Sequence, residues 1–303
     1  MNTNSNNEPH INYEATIENI LKEKNIKIEL VSETSNKVYR VKKADGQILY
    51  AKFYEGNSSH IDNELKVYDL VDSKYLKELY YKSLDPKMAI FKELIGKTID
   101  DLTAEELEKN SDKIINSLCD YFSSISNNKT NGYGILDGNL NGKYDDFFTF
   151  LKSRQQETSL VLSEYEELRD LSNCILEKYK NIICSDNSLV PIDTNLKNIM
   201  ILTDGSVKFI DPGEMVSGPI LMGYGDFVAH VYKTTLYEKL IQRLKLSDNQ
   251  QKLLRIYAIF SSLNILAFLK KNGENELNKV IPFGNTYTFY DLINEHLRYL
   301  GIN

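Results

Sequence analysis

The apolar positions of this chain change rhythm near Gly96. Over residues 26–94 they alternate in short runs, IKIELV, KVYRVKK and QILYAKFY, with Ala44-Asp45-Gly46 turning between the last two. Period-two alternation broken by a turn tripeptide predicts an antiparallel sheet. One stretch departs from it: over residues 59–71, Ile61, Leu65, Tyr68 and Val71 recur at helical spacing, and Ser59 with Asp62 resembles a capping box. MAIFKELI then reads as a further strand that ends at Gly96.

Beyond Gly96 the period is helical. Thr103 and Glu106 form a second candidate capping box, ahead of a face carrying Leu107, Ile114, Leu118, Phe122 and Ile125. Residues 144–156, 160–183, 227–244, 250–271 and 289–300 also suit helices, and the Asn/Gly-rich stretch 126–142 reads as a long connection. A hairpin interrupts this half, where Ile199-Met200-Ile201-Leu202 and Val207-Lys208-Phe209-Ile210 flank the turn dipeptide Asp204-Gly205. The fold class expected is therefore α+β and bilobal. A polar leader and first helix (1–25) precede an antiparallel-sheet N-lobe with one helix (26–95) and a mainly helical C-lobe (96–303), with a cleft between the lobes.

Composition narrows the partners. An apolar fraction of 42% and a charged fraction of 26% are those of a soluble globular chain, and no uninterrupted apolar run reaches the length of a membrane span. No membrane partner is expected. The N-terminal MNTNSNNEPHINYE lacks a basic region followed by an apolar one, so it does not read as a signal peptide, and a cytoplasmic location is expected. Cys119, Cys174 and Cys184 lie far apart without CxxC spacing and are expected to be buried free thiols. A net charge of −7 argues against nucleic acid and is compatible with a cationic substrate. His10, His60, His230 and His296 show no metal-ligand spacing, and oligomeric state is left open.

Three polar residues bracket the hairpin region: Asp193 ahead of it, Asn198 at its entrance and Asp211 at its exit. With Asp204-Gly205 as the tip, outward pairing sets Asn198 opposite Asp211, and a four-residue loop keeps the same register. Opposed residues have Cβ atoms roughly 4.5–5.5 Å apart, close enough for an amide oxygen and a carboxylate to converge on one hard cation such as Mg²⁺. Both residues are also ordinary turn formers. Lys52 lies within the strand ILYAKFY, and Glu64 lies on the inward stripe of the 59–71 helix. Burying either charge alone is costly, whereas a Lys52–Glu64 pair offsets both and holds an ammonium ready for phosphate oxygens.

In order, these features follow the phosphoryl-transfer template: a loop before a strand, a strand lysine, a helix glutamate, Asp-x-x-x-x-Asn and a second Asp. The chain resembles the aminoglycoside phosphotransferase/choline kinase-like family of the protein-kinase-like fold, over nearly its whole length. Ser35-Asn36-Lys37-Val38-Tyr39-Arg40-Val41 is similar to that family's nucleotide loop, without the glycines of the protein-kinase form. The resemblance implies that Ser35, Asn36, Lys52 and Glu64 serve the nucleotide and that Glu93 and Ile95 offer backbone groups to adenine. It implies Asp193 as catalytic base, Asn198 and Asp211 as metal ligands, and ATP with Mg²⁺ as cofactors. Pro191-Ile192 stands where the family has His-Gly. Asp226 matches an aspartate that follows the family's metal motif and is expected to cap the next helix. Glu214 fits either a water-mediated metal contact or a turn, and Lys197 is expected to be solvated.

The function so implied is transfer of the γ-phosphate of ATP to a hydroxyl of a small molecule, such as an aminoglycoside-like antibiotic. Choline, homoserine and sugars are permitted alternatives, because acceptor choice lives in the variable helical lobe. Tyr144, Asp145, Asp146, Tyr287, Tyr290, Asp291 and Glu295 are candidates for the acceptor cleft. A nucleotide-binding pseudokinase, a protein kinase and a non-catalytic α+β module are the other readings. The short interval after Asp211 and the lack of Ala-Pro-Glu speak against a protein kinase.

Overall fold

A computed structural model describes residues 12–33, 36–55, 59–183, 186–212, 214–274, 276–282 and 286–302. Ser35 and most of the polar leader lie outside these residues, as do Cys184 and the side chain of Ser59. Helix α1 (Tyr13–Leu21) is followed by β1 (Lys27–Glu33), β2 (Asn36–Lys42), β3 (Ile48–Tyr54), α2 (Ser59–Leu70), β4 (Leu79–Leu84) and β5 (Lys87–Lys92). The five strands form an antiparallel sheet in the order β1-β2-β3-β5-β4. Alternation decides its two faces. Val41, Leu49, Ala51, Phe53, Met88 and Ile90 pack with Ile17 and Leu21 of α1, whereas Tyr54, Ala89 and Phe91 pack with Ile61 and Leu65 of α2. The strand LYYKSL, absent from the sequence reading, is an edge strand whose side chains are half-buried or exposed, so it carries no apolar alternation to find.

The C-lobe begins with β6 (Gly96–Thr98) and α3 (Ala104–Ser126), then β7 (Tyr133–Leu136), β8 (Gly142–Tyr144), α4 (Phe147–Val161), α5 (Glu166–Arg169) and α6 (Leu171–Tyr179). It continues with β9 (Ser188–Pro191), β10 (Ile199–Leu202), β11 (Val207–Phe209), β12 (Met215–Gly218), α7 (Ile220–Val231), α8 (Thr235–Leu244), α9 (Asp248–Lys271) and α10 (Phe289–Tyr299). Thr103 caps α3 as its sequence suggests: its side chain accepts from the Glu106 N–H and the Glu106 carboxylate returns to the Thr103 N–H. By length and composition α9 is apolar enough to cross a membrane, but it is largely buried between α4, α7 and α10 as a core helix.

Several elements differ from expectation. The connection at 126–142 holds β7, which joins β8, β12 and β9 in a second sheet, and α4 starts after Tyr144, with Asp146 as its N-cap. The stretch 160–183 is broken into α5 and α6, and 227–244 is two helices separated at Lys233, whose φ is 62°. The first of these, α7, begins at Ile220, ahead of the expected start at 227, and runs through Gly223 and Gly225. Gly225 is there for close approach: a Cβ on it would fall 2.5 Å from the Cβ of Tyr257 on α9. The thiols are not buried as expected either. Cys174 lies off the buried stripe of α6 and is exposed, and Cys119, beside inward Leu118, is half-buried.

The lobes join through residues 93–95. On the N-lobe side the Glu93 N–H donates to the Ile48 carbonyl at 3.2 Å, and on the C-lobe side the Thr203 N–H donates to the Ile95 carbonyl at 2.9 Å. Strand β6 then pairs with β10, which pairs with β11.

Candidate active site

Lys52 faces the cleft from β3 because its cross-strand neighbour Ala89 shares that face of the sheet. Its Nζ lies 3.1 and 3.0 Å from the two carboxylate oxygens of Glu64 and 3.1 Å from Asp211 Oδ1. Glu64 is buried and also accepts from the Tyr54 hydroxyl at 2.8 Å. Burial alone would depress the Lys52 pKa, but Glu64 and Asp211 more than offset it, and the net shift is upward. One ammonium thus links a helix of the N-lobe to the end of the C-lobe hairpin.

The hairpin register differs from expectation by one residue. Ile199 pairs with Phe209, Met200 with Lys208 and Ile201 with Val207, and the Leu202 N–H donates to Ser206 O. Thr203-Asp204-Gly205 forms a three-residue loop, closed by Gly205 at φ 79°, rather than a two- or four-residue turn. Asn198 consequently stands opposite Ile210, whose N–H donates to Asn198 O, and Asp211 lies one residue beyond the pair. The two side chains still meet at one cavity, because Asn198 closes a 3₁₀ turn, Leu196–Asn198, and Asp211 has left the strand.

That cavity, of about 480 Å³, falls within the usual range for a ligand site. Asn36, Lys52, Leu94, Met200, Asn198 and Asp211 line it. Glu93 and Ile95 flank Leu94. Among the described residues the Glu93 carbonyl and the Ile95 N–H have no backbone partner, so they are the groups left to meet a base. Lys77, which sequence reasoning missed, also lines the cavity, with its Nζ 3.8 Å from the centroid of the Phe91 ring. Burial pushes its pKa down to about 8. It precedes an edge strand with no alternation, so only its spatial neighbours reveal it.

Asp193 follows β9, where Pro191 pairs with Met215 and the Ile192 N–H donates to Glu214 O at 3.1 Å. Pro191-Ile192 therefore sits in regular strand pairing. The Asn198 carboxamide nitrogen donates to Asp193 Oδ2 at 3.0 Å. The outer edge of Asp193 is open, yet the loop around it displaces water, and Asp226, Glu214 and Asp211 add negative charge. Burial first and these carboxylates next push its pKa up to about 7, while the Asn198 hydrogen bond pulls the other way. With the Asn198 nitrogen so engaged, its Oδ1 is the end left for a cation, beside the Asp211 carboxylate. Two hard oxygens suit Mg²⁺, which keeps waters and takes phosphate oxygens for the rest of its shell. No cluster of three or more His, Cys, Asp or Glu residues forms a cage among the described residues.

Asp226 does not cap a helix. It lies inside α7, buried, and its Oδ2 accepts from the Thr194 N–H at 2.9 Å and the Thr194 hydroxyl at 2.7 Å. Its Oδ1 accepts from the Ser261 hydroxyl at 2.5 Å. This buried carboxylate anchors the residue next to Asp193 to α7 and α9. Of the residues expected at the acceptor cleft, Asp146 is the N-cap of α4, Asp291 is the N3 partner of Thr288 in the capping box of α10, and Tyr290 donates to Glu167. Glu295 accepts from Tyr232 and pairs with Lys233, whereas Tyr144 lines a cavity beside α4. Lys197 and Glu214 are exposed.

No protein-family model matches the chain, and no curated protein matches its sequence. Solved structures do. A thermostable variant of aminoglycoside phosphotransferase APH(4)-Ia, in ternary complex with ADP and hygromycin B, superposes with a TM-score of 0.66 at 13% identity, covering 85% of this chain and 92% of that one. The fold is that of the aminoglycoside phosphotransferases. The GDP complex of aminoglycoside 2′-phosphotransferase-IIIa matches this phosphotransferase fold with a TM-score of 0.62 at 13% identity, over 95% of this chain and 96% of that one. The streptomycin–ATP–APH(2″)-IIa complex does so with a TM-score of 0.56 at 14% identity, over 85% and 91%. The sheet-bearing N-lobe and helical C-lobe described above are the bilobal arrangement of that fold.

Proposed function

We propose that this protein is a small-molecule kinase that transfers the γ-phosphate of ATP to a hydroxyl group. The observation that carries the reading is Lys52, held between Glu64 and Asp211, at one cavity with Asn198 and hydrogen-bonding reach from Asn198 to Asp193. Phosphoryl transfer asks little covalent chemistry of the protein; it needs the nucleotide fixed, its charge neutralised and the acceptor hydroxyl oriented. Lys52 releases Asp211 to meet phosphate oxygens, Glu64 keeps the ammonium aimed, and the Glu93 carbonyl with the Ile95 N–H fixes the base. Asp193 orients the hydroxyl and takes its proton, and Asn198 holds the Asp193 carboxylate in place. Asn198 and Asp211 would hold Mg²⁺, which would neutralise triphosphate charge when bound.

The neighbours carry ADP, GDP or ATP, and two of them hold hygromycin B or streptomycin, which supports a nucleotide and a hydroxylated acceptor here. An aminoglycoside-like antibiotic is one acceptor class; amino alcohols, amino-acid alcohols and sugars are the second. A coupled ADP-release screen with Mg·ATP tests the reading, with Asp193→Asn as control. Acceptor-dependent turnover in the native protein and none in the control is expected. Equal rates in the two would remove Asp193 from the chemistry.

A further inference from the structure

Resting on the kinase reading, the acceptor class follows from one cation that no group among the described residues neutralises. Arg154, on the half-buried side of α4, lines two cavities at once. The first is a small enclosed space beneath the catalytic loop, walled by Ile192 and Asp226. The second, of about 260 Å³, lies between α4 and α9 and opens to solvent. Asn264 of α9 borders both, so the two spaces meet at Arg154 and Asn264.

Among the described residues, the Arg154 guanidinium makes no ion pair and no side-chain hydrogen bond. The carboxylate nearest the enclosed cavity, Asp226, is fully engaged by Thr194 and Ser261. At the outer rim stand exposed Glu157 and exposed Lys271, which oppose one another in sign. A planar guanidinium set in a half-buried wall without a partner is matched by a two-oxygen anion, which takes its paired N–H donors side by side. The outer cavity is also below the usual volume for a drug-sized ligand, which favours a compact acceptor over a polycyclic antibiotic.

We propose that the acceptor is a compact hydroxylated molecule bearing an anionic oxyacid group, carboxylate or phosphate, which Arg154 binds beside the loop that carries Ile192 and Asp193. A polycationic aminoglycoside would meet the same guanidinium as a repulsion. Arg154 is then the specificity-determining residue of the acceptor site.

The test compares gluconate, glycerol 3-phosphate, glucose, hygromycin B and streptomycin as acceptors in the ADP-release assay, for the native protein, Arg154→Gln and Arg154→Lys. Turnover is expected with gluconate or glycerol 3-phosphate, and which of the two is used separates carboxylate from phosphate. Arg154→Gln should raise the acceptor KM by about 10-fold or more, with KM for ATP unchanged and part of the loss recovered in Arg154→Lys. Thermal denaturation with each probe runs in parallel. A rise in Tm with an anionic probe that Arg154→Gln abolishes supports the inference even where no acceptor is turned over. Turnover of streptomycin or hygromycin B that is indifferent to Arg154→Gln overturns the inference and leaves the kinase reading standing. The inference also fails if neither anionic probe raises Tm or is turned over. Loss of the kinase reading would instead appear as no stabilisation by Mg·ATP.

Discussion

On the N-lobe wall of the cleft a cation is held among anions; on the C-lobe wall an anion is held among anions. Lys52 has Glu64 and Asp211 within 3.1 Å, and its charge is secured by them. Asp193 has Asp226, Glu214 and Asp211 as charged neighbours, one amide as its close partner, and a proton affinity raised to about 7. The first arrangement fixes a positive charge in place. The second makes a carboxylate more willing to take a proton, which is what a general base near neutral pH requires. On the proposed reading, the contrast separates holding a nucleotide from activating an acceptor.

The sharpest way to break that contrast is Asp193→Asn, which keeps the shape and removes the proton acceptor. A fall in kcat of about 10²- to 10⁴-fold is expected, with Mg·ATP binding by calorimetry unchanged. Lys52→Ala attacks the other wall. It strands Glu64, buried with only the Tyr54 hydroxyl, and should cost about 3 kcal/mol in urea unfolding while abolishing stabilisation by Mg·ATP. If Mg·ATP stabilises this variant as well as the native protein, the lysine has no part in the nucleotide site.

Asp226→Asn should cost about 2 kcal/mol, because an amide nitrogen must then face one of the donors from Thr194 or Ser261. Its kcat should fall with the displaced loop, and Ser261→Ala should reproduce a smaller part of the loss.

Acid stability probes the core around α10. His296 of α10 is buried edge-on to Tyr232, with Nδ1 3.2 Å from an Arg255 nitrogen, and burial, Arg255 and Lys233 push its pKa down to about 3. Above the unfolded value of about 6.5 the ring is neutral in both states and carries no penalty. As pH falls below that value the unfolded chain takes up a proton that the folded chain refuses until about pH 3. Stability should therefore fall by about 1.4 kcal/mol per pH unit, or about 2 kcal/mol by pH 5. His296→Gln should flatten this part of the profile, read as Tm against pH. Smallest of all, Gly205→Ala should cost about 1 kcal/mol by placing a Cβ on a left-handed residue, with the hairpin register unchanged.

What the sequence revealed follows the range of each interaction. Lys52 and Glu64 were legible because strand alternation and helical spacing each place one charge on a buried face. The hairpin was legible as a hairpin, but its register was not, since Thr203 joins the loop and moves every pair by one. Asp226 reads as a cap because the helical pattern starts at Phe227, and its partners Thr194 and Ser261 lie in other elements. Lys77 and Arg154 stayed hidden for a like reason: an isolated cation signals nothing until the walls around it are known.

The connection between the lobes carries one more consequence. Glu93 is tied to the N-lobe sheet through Ile48, and Ile95 is tied to the hairpin loop through Thr203. Leu94 alone stands between the two ties, and it lines the cavity that Lys52 and Asp211 share. The chain crosses between the lobes at that residue, but Val67, Val71 and Leu76 also pack in the C-lobe core and the Phe209 N–H donates to the Tyr75 carbonyl at 2.8 Å, so the lobes are clasped at a second place. A nucleotide bound against Leu94 would therefore stiffen one of two ties between the lobes, and its release would free that tie alone.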